Sequence, residues 1–307
     1  MKHIIGHKNP DTDTICSAIV YEDFLTQKGV EAKAFALGRI NNETRFVFEK
    51  YEVEEPEHIT ELPHGTEIIL LDHNEESQSV SNLKDLDIVE IIDHHKLKIE
   101  TDKPISIYIE PVGSSCTIIA KKYFESGTEI SKTNAALLIA GIISDTLYFR
   151  SPTTTDIDRE ITEKLNEAAG IEDLEKFSLE MFSAKSDLGD ISAEELVRLD
   201  YKMFEFGGEN YGVGLMETTN KDYGLERKTE IIEKMKEIKE QDNLKGVFFS
   251  IIDILNEKSY TLTSGEEETE LFIKLFGAQD QDGILFADKL VSRKKQIIPK
   301  FEEHFKA

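Results

Sequence analysis

The chain has 307 residues, 39% of them hydrophobic, with 36 Lys+Arg against 61 Asp+Glu for a net charge of −25. That length exceeds one comfortable hydrophobic core and predicts two domains, while the acid excess argues against nucleic acid as a partner and leaves small phosphates complexed with metal compatible. No apolar run reaches the roughly 18–20 residues of a membrane span and no signal-peptide pattern opens the chain, so a cytoplasmic protein without membrane contact is expected.

Residues 2–7 read as a first strand. Ile15, Ala18, Ile19 and Leu25 then recur at near-helical spacing over 12–28, with Gly29 as the expected C-cap. A strand over 31–37, a helix over 42–51 and strands over 67–71, 88–92 and 106–109 follow. Helices are expected over 115–124, 133–143, 156–169 and 172–184. This alternation predicts an α/β domain on a doubly wound, mainly parallel sheet. The polar run KSDLGDI at 185–191 predicts a linker between a first domain over 1–184 and a second over 192–307. Beyond it, a hairpin over 201–206 and 211–216, a charged helix over 225–241, a strand pair over 247–255 and 259–263, a solvated helix start at SGEEETE and a terminal helix interrupted at Pro299 predict a smaller α+β domain with a mixed sheet.

Cys16 and Cys116 sit in no CxxC or Cys/His cluster. They read as small buried hydrophobes, without a disulfide or a structural zinc site.

Four acidic or histidine clusters each follow a β-like apolar run: HIIGHKNPDTD, IILLDHN, IVEIIDHHK and LIAGIISDT. Chemistry in α/β proteins gathers at the carboxyl ends of parallel strands. Such ends would bring His7, Asp11, Asp13, Asp72, His94 and Asp145 together. Carboxylates that close repel one another, and a pair of divalent cations is the natural neutraliser. Asp72 and Asp145 follow runs too apolar to be exposed, so each needs a partner, and Asp72 is placed to bridge two ions. In Asp93-His94-His95 the adjacent histidines face different directions: one suits a metal and the other a substrate oxygen, with Asp93 orienting a ring. Asn74 either binds substrate or closes a turn, and His73 is either packed or a supporting residue.

The donor set of oxygen and imidazole, without thiolate, favours Mn, Mg or Co over a structural zinc site, and histidine ligands tilt the choice from Mg toward Mn. Gly113 to Thr117, between a strand and a helix, either offers N–H groups to a phosphate or simply starts the helix. Arg293 and Lys294, in a basic run rare in so acidic a chain, suit a phosphate, and Lys202 is a weaker candidate of the same kind. The pattern reads as a two-metal hydrolase.

HKNPDTD, LDHN, DHHK and the C-terminal SRKK together resemble the family II, manganese-dependent inorganic pyrophosphatases of the DHH phosphoesterase superfamily. The resemblance implies hydrolysis of pyrophosphate to two phosphates by a hydroxide bridging two metals. It implies His7, Asp11, Asp72 and Asp145 on one metal, and Asp13, Asp72, His94 and Asp145 on the other. His95, Lys202, Arg293 and Lys294 would contact pyrophosphate, with Asn74 within reach; in the expected mechanism His95 either hydrogen-bonds or protonates the leaving phosphate. Mn is the implied cofactor, with Co or Mg as substitutes and a further Mg accompanying the substrate. A homodimer through the first domain is also implied. The alternatives are an exopolyphosphatase of the same superfamily and a non-catalytic, metal-dependent phosphate-binding regulator. The GGGH motif of the DHH nucleases is absent.

Overall fold

The computed structural model describes residues 1–101 and 103–306. Its chain divides into two compact units, one ending at residue 184 and one beginning at residue 185.

The first unit is built on β1 (Lys2–Ile5), β2 (Ala32–Ala36), β3 (Glu57–His58), β4 (Glu67–Leu71), β5 (Asp87–Asp93) and β6 (Ser106–Ile109). They lie in the order β3-β2-β1-β4-β5-β6, with every pair parallel. Ile68 to Leu71 of β4 are wholly buried, which accounts for their unbroken apolar run. The helices are α1 (Thr12–Gln27), α2 (Asn42–Tyr51), α3 (Ser115–Ser126), α4 (Lys132–Thr146), α5 (Asp156–Ala169) and α6 (Leu174–Ser186). Side-chain caps start several of them: Asp11 accepts from the Thr14 N–H, Asn41 from Thr44 and Ser131 from Asn134. α6 runs two residues into the stretch expected as linker.

The second unit contains α7 (Ala193–Arg198), β7 (Asp200–Phe206), β8 (Glu209–Thr218), α8 (Asp222–Leu225), α9 (Lys228–Gln241), β9 (Gly246–Asp253), β10 (Lys258–Thr263), α10 (Glu266–Phe276), β11 (Gln279–Gln281) and β12 (Ile284–Asp288). A π-helical turn over Arg293–Ile297 leads into α11 (Ile298–Lys306). Pro299 is the second residue of α11, directly after the π-helical turn, so the run expected to be interrupted there stays helical but changes from π to α winding beside the proline. The sheet order is β11-β12-β10-β9-β8-β7, with β8 and β9 parallel and the other pairs antiparallel. The sheet is thus mixed. Among the described residues no helix is long and apolar enough to cross a membrane.

Candidate metal centre

Strand order in the first sheet reverses between β1 and β4, the place where open α/β sheets form a crevice at their carboxyl ends. The turn after β1 carries His7, Asp11 and Asp13, with Asp13 already inside α1. Asp72 follows β4 directly, at φ 63°, a left-handed conformation that Asp tolerates better than most residues. Asp93 ends β5, and His94 and His95 come next. Asp145 departs from the strand end expected of its cluster: it lies in the last turn of α4, the helix expected over 133–143. Its apolar run is a buried helix, which hydrophobicity alone does not distinguish from a buried strand.

Ligand atoms converge in three groups: His7, Asp11 and Asp72; Asp13, His94 and Asp145; and Asp72, His94 and His95. His7 Nε2 lies 3.3 Å from Asp11 Oδ2 and 3.5 Å from Asp72 Oδ2. His94 Nε2 lies 3.4 Å from both Asp72 Oδ1 and Asp145 Oδ2. Asp72 therefore turns one oxygen toward each histidine. Asp145 groups with Asp13 and His94. His7 Nδ1 donates to the Lys8 carbonyl at 2.8 Å, and His94 Nδ1 to the Val112 carbonyl at 3.1 Å. Those bonds fix the tautomers and aim both Nε2 atoms inward, as metal-binding histidines require.

The carboxylates rest on a cradle of neutral donors. Thr14 Oγ1 donates to Asp72 Oδ2 at 2.5 Å and Ser115 Oγ to Asp72 Oδ1 at 2.9 Å. Asp13 Oδ1 accepts from Ser114 Oγ at 2.6 Å and the Cys116 N–H at 2.8 Å, and its Oδ2 from the Ser115 N–H at 2.7 Å. The amides at the start of α3 therefore serve the protein's own carboxylate, not a phosphate. Buried Asp158 holds this segment from behind, accepting from the Gly113 N–H and from Thr117 Oγ1. Two glycines make the close approach possible. A Cβ on Gly6 would stand 2.1 Å from the Thr14 methyl, and one on Gly141 would stand 2.3 Å from Cys116 Sγ and 3.1 Å from Asp13 Oδ1.

Charge crowding is visible in the acidities. Burial and the neighbouring Asp72 push the Asp13 carboxyl up to about 7. Burial also works against the charged form of Asp72, but hydrogen bonds from His7 and His94 outweigh it and hold Asp72 well below the usual range. His7 is desolvated, yet Asp11 and Asp72 raise it well above an ordinary imidazole. Four carboxylates and two inward-facing imidazoles thus make a site suited to hard or borderline divalent cations.

The DHH triplet divides as its geometry dictates. The rings of His94 and His95 stand 80° apart. His95 Nδ1 is 2.8 Å from Asp93 Oδ1, and that oxygen also accepts from both histidine N–H groups of the backbone. Asp93 thereby orients His95. Asn74 is buried and braces the same loop: its amide donates to Asp93 Oδ2 at 2.6 Å and to the Lys96 carbonyl at 3.1 Å, and its oxygen accepts from the Lys98 N–H at 2.5 Å. These bonds engage both ends of its amide with the protein and brace the loop, in keeping with the turn-closing alternative for Asn74. His73 is buried, with Nδ1 on the Leu71 carbonyl, and desolvation lowers it to about 4, so it is neutral.

In the second unit, Arg293 opens the π-helical turn. Its guanidinium donates to the Asp200 and Val213 carbonyls at 2.8 and 3.2 Å and to Asp200 Oδ1 at 2.5 Å. Lys202 lies two residues along β7 from Asp200, on the same face of the strand. Asp200 is about half exposed, so the crowding around it favours its protonated form only weakly, and the charges of Arg293 and Lys202 hold the carboxyl below its usual range. Lys294 follows Arg293 in the turn. Arg293 and Lys202 therefore both lie near Asp200 at the start of β7.

The DHH family N-terminal domain matches residues 3–142 and the DHHA2 domain matches residues 179–304. A Deinococcus radiodurans protein named a probable manganese-dependent inorganic pyrophosphatase is 43% identical over 99% of both chains. A Methanocaldococcus jannaschii protein named a manganese-dependent inorganic pyrophosphatase is 40% identical, again over 99% of both. The chain belongs to the family II, manganese-dependent inorganic pyrophosphatases. A crystal structure of a Methanococcus jannaschii protein assigned to that family superposes with a TM-score of 0.89, at 40% identity and over the whole of both chains. Members of the family thus share both units of this chain. Residues that the sequence reading did not single out as supports, Thr14 and Asp158 above all, carry no motif of their own; they are found only through the contacts just described.

Proposed function

We infer that this chain hydrolyses inorganic pyrophosphate to two phosphates with two divalent cations, manganese by preference. The observation that carries the reading is the convergence of the histidine and aspartate clusters, with Asp72 common to two groups, in a chain aligned end to end with manganese-dependent pyrophosphatases. His7, Asp11 and Asp72 would hold one cation, and Asp13, His94, Asp145 and Asp72 the other. When bound, such a cation pair supplies an acidified water as the nucleophile and neutralises phosphate charge. Around it the chain's own groups divide the work. His95, oriented by Asp93, hydrogen-bonds the leaving phosphate through Nε2 and gives it a proton. Arg293, Lys294 and Lys202 hold the anionic ends of pyrophosphate. Co or Mg would substitute for Mn, and a further Mg would travel with the substrate.

Phosphate release from pyrophosphate and from tripolyphosphate, by metal-stripped protein with Mn, Co, Mg or Zn restored, tests this. Faster turnover of tripolyphosphate would favour the exopolyphosphatase reading, and no turnover of either would favour a binding regulator. The two histidines give a sharper result. His94→Gln is expected to weaken Mn binding roughly 10-fold or more. His95→Gln is expected to keep two Mn per chain while turnover falls about 10²–10⁴-fold, the range of a lost general acid. Equal metal loss in both variants would refute the division.

The partner readings are small-molecule substrate and a second copy of the chain. Edge strand β6 exposes Ile107 and Tyr108, at 44% and 46%, and supports self-association through the first unit by strand pairing. Light scattering on the purified chain tests it. The charge of −25 supports a metal-complexed phosphate over nucleic acid.

A further inference from the structure

Helix α2 begins with a buried acid that neither the metal centre nor the substrate contacts account for. Glu43 is 0% exposed. Its Oε2 accepts from Thr12 Oγ1 at 2.9 Å and from Ser144 Oγ at 2.6 Å. Thr12 stands between Asp11 and Asp13, and Ser144 directly precedes Asp145. One carboxylate oxygen thus joins the turn after β1 to the last turn of α4, the two segments that supply ligands from opposite sides. The strut is itself fixed: Thr12 Oγ1 is 3.0 Å from Thr44 Oγ1, and Asn41 caps the Thr44 N–H.

A spacer alone does not need a charge, because the carbonyl of a glutamine accepts the same two hydroxyl protons. Burying a carboxylate beside four others is costly unless positive charge compensates it. Its place in the first turn of α2 supplies some compensation from the helix dipole. A cation pair a few residues away supplies the rest, and in return is held more tightly.

We propose that Glu43 is a positioning residue for the cation pair, setting the spacing between Asp11 with Asp13 and Asp145 and strengthening cation binding by its charge. This rests on the two-cation reading above. Mn(II) titration of the metal-stripped full chain, by calorimetry, with thermal melting of the metal-free protein alongside, tests it in wild type, Glu43→Gln and Ser144→Ala. Both variants are expected to bind at least one Mn about 10–100-fold more weakly than wild type, the effect usual for a residue that orients a ligand. Metal-free Glu43→Gln should melt no lower than wild type, because it keeps both hydrogen bonds and loses an uncompensated charge, so its weaker Mn binding is the result a merely structural role would not give; metal-free Ser144→Ala should melt somewhat lower, having lost a buried bond. Ser144→Ala keeps the carboxylate and removes one strut, so it decides the matter if Glu43→Gln does not fold. Mn affinities within twofold of wild type in the folded variants would overturn the proposal. A wild-type chain that binds no Mn would instead overturn the two-cation reading beneath it.

Discussion

Asp72→Asn should lower pyrophosphate turnover by about three orders of magnitude or more while the protein still folds. Several kcal/mol of charge stabilisation are at stake in the proposed two-cation site, and each 1.36 kcal/mol is tenfold in rate. The fold should survive for two local reasons. Asn is as tolerant as Asp of the left-handed backbone at this position. Thr14 and Ser115, which donate to the two carboxylate oxygens, are hydroxyls, and either can rotate to accept from an amide instead. Metal analysis and circular dichroism alongside the rate separate the effects. Wild-type turnover with two Mn bound would remove Asp72 from its bridging role.

Arg293→Ala should lower kcat/KM about 10²–10³-fold, the usual loss when one preorganised donor to a developing anion is removed. KM should rise and kcat fall together, because a phosphate contact acts in the ground state and in the transition state. The variant also leaves the Asp200 and Val213 carbonyls without their donor, so a small drop in melting temperature is expected as well. Arg293→Lys separates the two contributions. Lysine keeps the charge but cannot reproduce the fork that grips both the carbonyl and the carboxylate of Asp200, so activity should return only in part. Normal kcat/KM in Arg293→Ala would make the basic cluster a surface feature.

Much of the fold was legible because several elements announce both their period and their ends. α2 and α5 were expected at their observed limits: Asn41 caps the first, and the Thr155–Asp158 capping box starts the second. β4 and β6 were read to the residue. α7, β11 and β12 were not foreseen, and β11 shows why: Gln279–Gln281 is three exposed polar residues with no apolar alternation, so only pairing with β12 makes it a strand. The charged helix expected over 225–241 is α9, which starts three residues later and ends where expected, with the short α8 before it.

At the metal centre, the side chains that carry charge were legible from their positions after apolar runs. Their supports were not. Ser114 reaches Asp13 across 101 residues of sequence, and Glu43 reaches Ser144 across the same distance. No local period encodes a contact that exists only once the sheet has formed. Asp145 shows a divided reading: its apolar run was grouped with the β-like runs when the acidic clusters were compared, while the element order placed a helix over 133–143, and the helix is what the structure has.

The crowding of acids has a consequence for how the protein would take up its ions. With the Asp13 carboxyl near 7 and the His7 imidazole raised well above its ordinary value, the metal-free chain at neutral pH carries protons where the cations belong. Loading is then an exchange, in which incoming cations evict protons into the medium. Each proton displaced makes apparent affinity fall about tenfold per unit of pH below the acidity of the group that held it. Acidification should therefore empty the site well before it unfolds the chain. A fall in Mn affinity between pH 8 and pH 6, with the circular dichroism unchanged, is the expected mark of that exchange.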